Sequence, residues 1–342
     1  MRNQNKQGGA SFEPNDIKGN GKHMTHDFVR INSKKHYVYE GKLDLSDSKI
    51  TDITDIEQLD TLTNLQSLDF YENQIKEIKG LENLYNLREI NFFHNQIEEI
   101  KGMEKLITLQ ELNLSGNEIR EINGLKYLTN LQSLDLTANL IEEIKGLEKL
   151  TNLRRLYLKN NQIKRIEGLE NLTKLEVLYL NGNRIEEING LEKLINLQRL
   201  YISWNKIEKI SGLQQLTQLQ ALDLGGNRIE EISGLQHLTS LQNLDLERNQ
   251  IKEIRGLKHL THLQELYLGW NQIKELEGLE NLLDLRKLYL NWNQIEKIRG
   301  LERLKNLKTL NLQGNPMREN ERYLIDKNAQ EIVRYCQKKI EK

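Results

Sequence analysis

From Leu43 onward, leucine and isoleucine recur in one arrangement, LxxLxLxxNxIxxIxGLxxLxN; LQSLDLTANLIEEIKGLEKLTN, beginning at Leu131, is one complete copy. Leucines five and three positions before each asparagine alternate with polar residues, which is the period of a short strand with one buried face. Equivalent strands one period apart predict a stacked parallel sheet. The asparagine falls where the strand ends, and a buried amide there can serve backbone groups of its own and the neighbouring unit.

These rungs are Asn73, Asn95, Asn117, Asn139, Asn161, Asn183, Asn205, Asn227, Asn249, Asn271, Asn293 and Asn315, 22 residues apart throughout. A divergent first unit, KLDLSDSKITDI, carries Ser48 on the rung and stands 25 residues before Asn73, which brings the number of units to 13. A fixed period of this size predicts an α/β solenoid in which each unit buries its apolar edge only against its neighbours. Eleven of the 22 glycines, Gly80 to Gly300, occupy one column seven positions after the rung. Single and evenly spread, they fit a turn that a Cβ would oppose rather than a clustered phosphate-binding loop.

A solenoid must shield the cross-sections of its end units. At the C-terminal end Pro316 follows the last rung, and Ile325, Ile332, Val333, Tyr335, Cys336 and Ile340 recur at helical spacing in a charged segment, which predicts an amphipathic capping helix over 319–342. At the other end, residues 1–27 are polar and read as a disordered tail. FVRINSKKHYVYEG alternates well enough for two short strands, so 28–42 reads as a cap, a possible β-hairpin, with a linker or recognition arm as the alternative.

The repeat resembles that of leucine-rich repeat proteins of the 22-residue class, which includes the nuclear regulatory subunit of type-1 protein phosphatase and the repeat regions of bacterial internalins. The resemblance covers residues 43–318. It implies an arch with the parallel sheet on the concave face, short helical turns on the convex side, and ligands held mainly in the concavity. It also implies, as an alternative to a plain scaffold, a regulatory subunit docking a phosphatase or another signalling enzyme. The run from Asn315 and Pro316 to Ile332 and Tyr335 resembles the cap of some bacterial members and lacks the closing leucine-aspartate of the phosphatase-subunit cap, which counts against carrying phosphatase regulation over.

Composition narrows the function classes. With 49 Lys+Arg against 50 Asp+Glu and a net charge of −1, the chain has no bulk basic excess for nucleic acid or an anionic membrane. One cysteine, Cys336, forms no intramolecular disulfide, and no membrane span or signal peptide is evident, so the expectation is a monomeric cytoplasmic protein.

Residues six, four and two before the rung point to the concave surface, with the residue one before it at the strand end. All three tryptophans, Trp204, Trp270 and Trp292, fall one before a rung, an alignment with about one chance in 500 at this period. Four before it lie Tyr157, Tyr179, Tyr201, Tyr267 and Tyr289, and two before it Tyr71 and Phe93. Stacked tyrosines can simply tie neighbouring strands together; exposed tryptophan is enriched at binding hot spots. The main aromatics form two groups whose centres lie about 20 Å apart at the strand spacing, separated by Gly225 and Gly226 and flanked by Asp223, Asp245, Glu247 and Arg248.

The four concave columns hold six basic and eleven acidic residues, a net of −5, with Asp44, Asp47, Asp69, Glu72, Glu89, Glu111 and Asp135 concentrated in the first five units. Such a face repels nucleic-acid phosphates and suits a protein partner with basic and apolar anchors. Its area is on the order of 800 Å², about one partner's share of a standard interface.

Catalytic groups are not assembled by the repeat. His94, the concave histidine, is ten units from Cys336, on the order of 48 Å. His237, His259 and His262 fall in or beside a column elsewhere polar, and the paired glutamates recur as a solvated surface. The expectation is a non-enzymatic scaffold with no cofactor and no metal.

Overall fold

The computed structural model describes residues 27–340; the expected tail lies, up to residue 26, outside the described residues. Strands β1 (Phe28–Ile31) and β2 (Lys34–Tyr37) form an antiparallel hairpin. Its turn residues Asn32 and Ser33 both have positive φ, the twist that matches flanking strands. Arg30 and Glu57 exchange backbone hydrogen bonds of 3.2 and 3.1 Å, and Val29 is buried, so the hairpin is held against the first unit.

The main sheet has 13 parallel strands in chain order, from β3 (Lys42–Asp44) to β15 (Thr309–Asn311). Strands are three residues long and in register, equivalent leucines facing one another, as Leu134 does Leu156. The central residue points into the core and its neighbours point to the concave face. Alternation over three residues is enough because the rung then takes over the bonding.

Asn95 shows how. Its Nδ2 donates to the carbonyls of Phe70 in the preceding unit (2.9 Å) and Phe92 in its own (3.2 Å), while its Oδ1 accepts the Ile75 amide at 3.0 Å. The side chain is 7% exposed. Donors and acceptors at the bend are thus satisfied without water, and each rung staples two successive units.

On the convex side the chain makes single turns closed by i→i+3 bonds, such as Leu84 to Leu81 at 3.0 Å and Leu87 to Leu84 at 3.1 Å. In the first unit these widen into 3₁₀ helices, Ile53–Asp55 and Leu59–Thr61. The glycine column permits the approach of one unit to the next. At Gly102, where φ is 74°, a Cβ would stand 2.0 Å from the Ile78 carbonyl oxygen, which no side chain tolerates.

A single apolar core runs from Val29 to Cys336. Helix α1 (Ala329–Ile340) closes its end with Ile332, Val333 and Cys336. Asn328 and Glu331 cap the helix reciprocally, at 2.9 and 3.2 Å. Glu321, 2% exposed, accepts the Ile298 amide at 2.8 Å, the Tyr335 hydroxyl at 3.0 Å and the Lys339 ammonium. Burial alone would raise its carboxyl; these donors outweigh burial and hold it below the usual glutamate range. Cys336 is buried among the helix contacts, and burial pushes its thiol up to about 11, which removes it as a nucleophile at neutral pH.

Candidate functional site on the concave face

Position four before the rung takes two forms. Where it is Asp or Asn, its Oδ1 accepts the amide two residues on: Asp69 from Tyr71 at 2.8 Å, Asn113 from Ser115 at 2.9 Å, Asp135 from Thr137 at 2.8 Å. Asp223 does so for Gly225 at 3.0 Å and Asp245 for Glu247 at 2.8 Å. These carboxylates therefore close the strand-end bend as well as facing the concavity. Where the position is Tyr, that acceptor is replaced by ring stacking along the sheet. Tyr157 to Tyr179 is 5.1 Å between centroids, Tyr179 to Tyr201 4.3 Å, and Tyr267 to Tyr289 4.9 Å, with interplanar angles of 11–17°.

Position one before the rung has positive φ in every unit, from Asp47 to Gly314. Glycine fills it four times and asparagine once, as a left-handed conformation favours. Trp204, Trp270 and Trp292 nonetheless adopt it, with φ of 56–57°, although a bulky residue there is strained by about 1–3 kcal/mol. They are 60, 42 and 52% exposed. Their indoles lean toward the next unit: Trp270 stacks on Trp292 at 4.8 Å, and Trp292 covers Gly314, where a Cβ would be 2.6 Å from the ring. Trp204 covers Gly226 in the same way, at 2.8 Å.

The structure thus separates two glycines that the sequence reading treats as one gap. Gly226 is the seat of an indole; only Gly225 leaves open floor. In addition, the Arg248 guanidinium lies 4.8 Å from the Trp270 ring and 5.9 Å from that of Trp204. The outer row is therefore continuous from Trp204 through Arg248 to Trp292, whereas the inner tyrosine row is interrupted. Arg248 is the bridging residue that residue type alone does not reveal, because it depends on which way the indoles lean. The left-handed column itself was open to inference from Gly116, Gly182, Gly226, Gly314 and Asn160.

In the interruption stand Asp223, Asp245 and Glu247. Burial raises the Asp245 carboxyl to about 6, and the charges of Asp223 and Glu247 add to it against the opposing amide bond. Glu247 is raised by burial too, with Arg248 opposing. Asp223 Oδ2 accepts Asn181 Nδ2 at 3.1 Å. At the far wall, Tyr267 donates to Glu265 at 2.7 Å, and Lys287 pairs with Glu265 at 2.9 Å.

Tyr71 and Phe93 form a third aromatic pair, 5.4 Å between centroids, which the structure keeps apart from the tyrosine stacks, about 14 Å from Tyr157 by strand spacing. Its surroundings are acidic, the Tyr71 hydroxyl donating to Glu72 at 2.8 Å. Of the histidines off the face, His262 Nδ1 lies 3.4 Å from Asp284. Among the described residues no three His, Cys, Asp or Glu side chains converge as metal ligands, and no helix is long and apolar enough to cross a membrane.

The family of leucine-rich repeats matches residues 63–105, 107–149, 151–193, 195–237, 239–281 and 284–320 in successive two-repeat segments. Among solved structures, the internalin InlF of Listeria monocytogenes is 34% identical, with a TM-score of 0.73 and 82% of each chain covered. The functional domain of InlJ from the same organism, which includes a cysteine ladder, is 25% identical with a TM-score of 0.64, over 80% of this chain and 63% of that one. TLR13 in complex with the RNA ssRNA13 shares the fold at 23% identity and a TM-score of 0.57, over 76% of this chain and 48% of that one. No curated protein matches the chain. With its rungs of asparagine, its 22-residue period and its parallel sheet, the chain belongs to the leucine-rich repeat family.

Proposed function

We propose that the protein is a non-enzymatic scaffold that holds a protein partner on its concave face, anchored by Trp204, Trp270 and Trp292 and by the tyrosine stacks. Leucine-rich repeats serve generally as protein-interaction scaffolds, which supports the class. One observation carries the site: three indoles stand half-exposed in a backbone conformation that disfavours them, at a column where glycine elsewhere does the structural work at no strain. Backbone strain kept where the fold does not need it points to function, and exposed tryptophan is the residue most enriched at hot spots.

The stacked rings present their edges and hydroxyls to the concavity, since their faces are taken up by one another. That favours a polypeptide surface over a flat ligand. The net negative columns favour a partner with basic groups and disfavour nucleic acid. A cytoplasmic, monomeric protein fits the single buried thiol and remains part of this proposal; fractionation of native cells, with the chain in the soluble fraction, is its check.

The test is the variant Trp204→Gly/Trp270→Gly/Trp292→Gly. Glycine relieves about 1 kcal/mol of strain per site and forfeits stacking of similar size, so the melting temperature stays nearly constant. Affinity for a partner purified from the native source falls by more than about 100-fold, because hot-spot tryptophans contribute about 2 kcal/mol or more each. Undiminished affinity overturns the site.

A further inference from the structure

The interruption between the two tyrosine stacks has the chemistry of a receptor for a cation. We infer that the partner inserts one basic side chain, a guanidinium or ammonium group, between Tyr201 and Tyr267, over Gly225 and Gly269. The inference rests on the docking reading above and names the group that enters.

Tyr201 ends one stack and Tyr267 begins the next. Because the rings stack along the sheet, each of these two turns a free face toward the other, across about 14 Å of strand spacing. A guanidinium plane is attracted to such a face from within about 6 Å. Side chains that would fill the space are absent at two floor positions. A Cβ at Gly225 would stand 3.3 Å from an Asp245 oxygen and 3.4 Å from an Asp223 oxygen. One at Gly269 would stand 2.8 Å from both Glu247 Oε1 and Asn291 Oδ1. Acceptors therefore converge over both glycines.

Asn291 Oδ1 supplies an observation independent of the carboxylates. It is a buried oxygen with no hydrogen-bond donor, and such an atom calls for one. The local cations are already engaged: Arg248 lies on the indoles and Lys287 pairs with Glu265. Among the described residues no ion pair neutralises Asp223, Asp245 or Glu247. A donor-rich cation from outside would satisfy the carboxylates and the amide oxygen together, and arginine, with five donors in one plane, matches this spread of acceptors.

Asp245 gives the site a pH dependence. The groups facing it are Asp223 on the preceding strand, Glu247 and Arg248 in its own unit, and Tyr267 and Glu265 on the following strand, with Lys287 beyond. Burial keeps its carboxyl high, near 6, so it is charged at pH 7.5 and largely neutral at pH 5. Cation capture is accordingly tighter at pH 7.5.

The probe is the capped tripeptide acetyl-Gly-Arg-Gly-amide against its neutral citrulline counterpart, titrated into the full chain while the amide resonances of Gly225 and Gly269 are followed. The arginine peptide produces saturable shifts at both glycines, and the citrulline peptide binds at least tenfold more weakly. Asp223→Asn/Asp245→Asn, which keeps an acceptor for the strand-end amides, removes the difference. Equal response to the two peptides, no response at either glycine, or an unchanged preference in the Asn variant each overturns the inference. Loss of the native partner from the tryptophan variant without any arginine response refutes this inference alone. An arginine response with the partner still bound to that variant refutes the docking reading alone.

Discussion

The first five units and the units from Asn161 to Asn293 share one backbone and present different surfaces. In the first five, the position four before the rung is Asp or Asn throughout, turned partly back on its own strand end, as Asp69 and Asp135 show. Later, tyrosine takes that position in five units and trades the local bond for stacking between units. The exchange leaves the sheet register unchanged. A face can therefore be rewritten column by column while the apolar interior and the asparagine rungs stay constant, which separates what folds the protein from what it presents.

If the interior is common to both regions, Leu134→Ala and Leu266→Ala cost the same, about 3 kcal/mol each, within the range for a fully buried leucine. Denaturant unfolding measures this, and a difference above about 1.5 kcal/mol breaks the equivalence. Next in size is Gly226→Ala, about 2 kcal/mol, from positive φ and from the displaced Trp204 ring. In the Trp204→Gly background that loss falls to about 1 kcal/mol, and the double-mutant cycle reads the coupling.

Asp245→Asn sharpens the contrast in charge. A folded-state value raised from 3.8 to about 6 means that the folded chain holds its proton more tightly than the unfolded one. The associated stability is full below pH 4 and lost as pH rises through 6. The amide variant is therefore more stable than wild type by about 1–2 kcal/mol at pH 7.5 and equal to it at pH 4, as thermal unfolding at the two values will show. Smallest is Tyr179→Asn, which offers the Asn181 amide an acceptor and breaks the stack of Tyr157, Tyr179 and Tyr201. The net change is under about 1 kcal/mol, read by the same unfolding.

The architecture was legible because its determinants repeat. Asn95 and Gly102 each stand for a column, and a requirement that returns every 22 residues shows itself even where any one instance is ambiguous. The tryptophan alignment was legible for the same reason. What the periodicity hides is contact between columns. That Trp204 lies on Gly226, that Arg248 bridges two indoles, and that Asn291 Oδ1 is left without a donor depend on side-chain direction across units. Nor does alternation distinguish Asp245, half-withdrawn from solvent, from the open carboxylates of the first units; neighbouring tyrosines and the unit on either side decide that.

The rung amides bond only within their own unit and to the unit before. Excision or duplication of one whole 22-residue segment would therefore reunite equivalent partners and leave no orphaned bend. Lineages carrying this chain can lengthen or trim it by unequal exchange between copies, changing the distance between its aromatic groups in increments of one strand without redesigning a single interior contact.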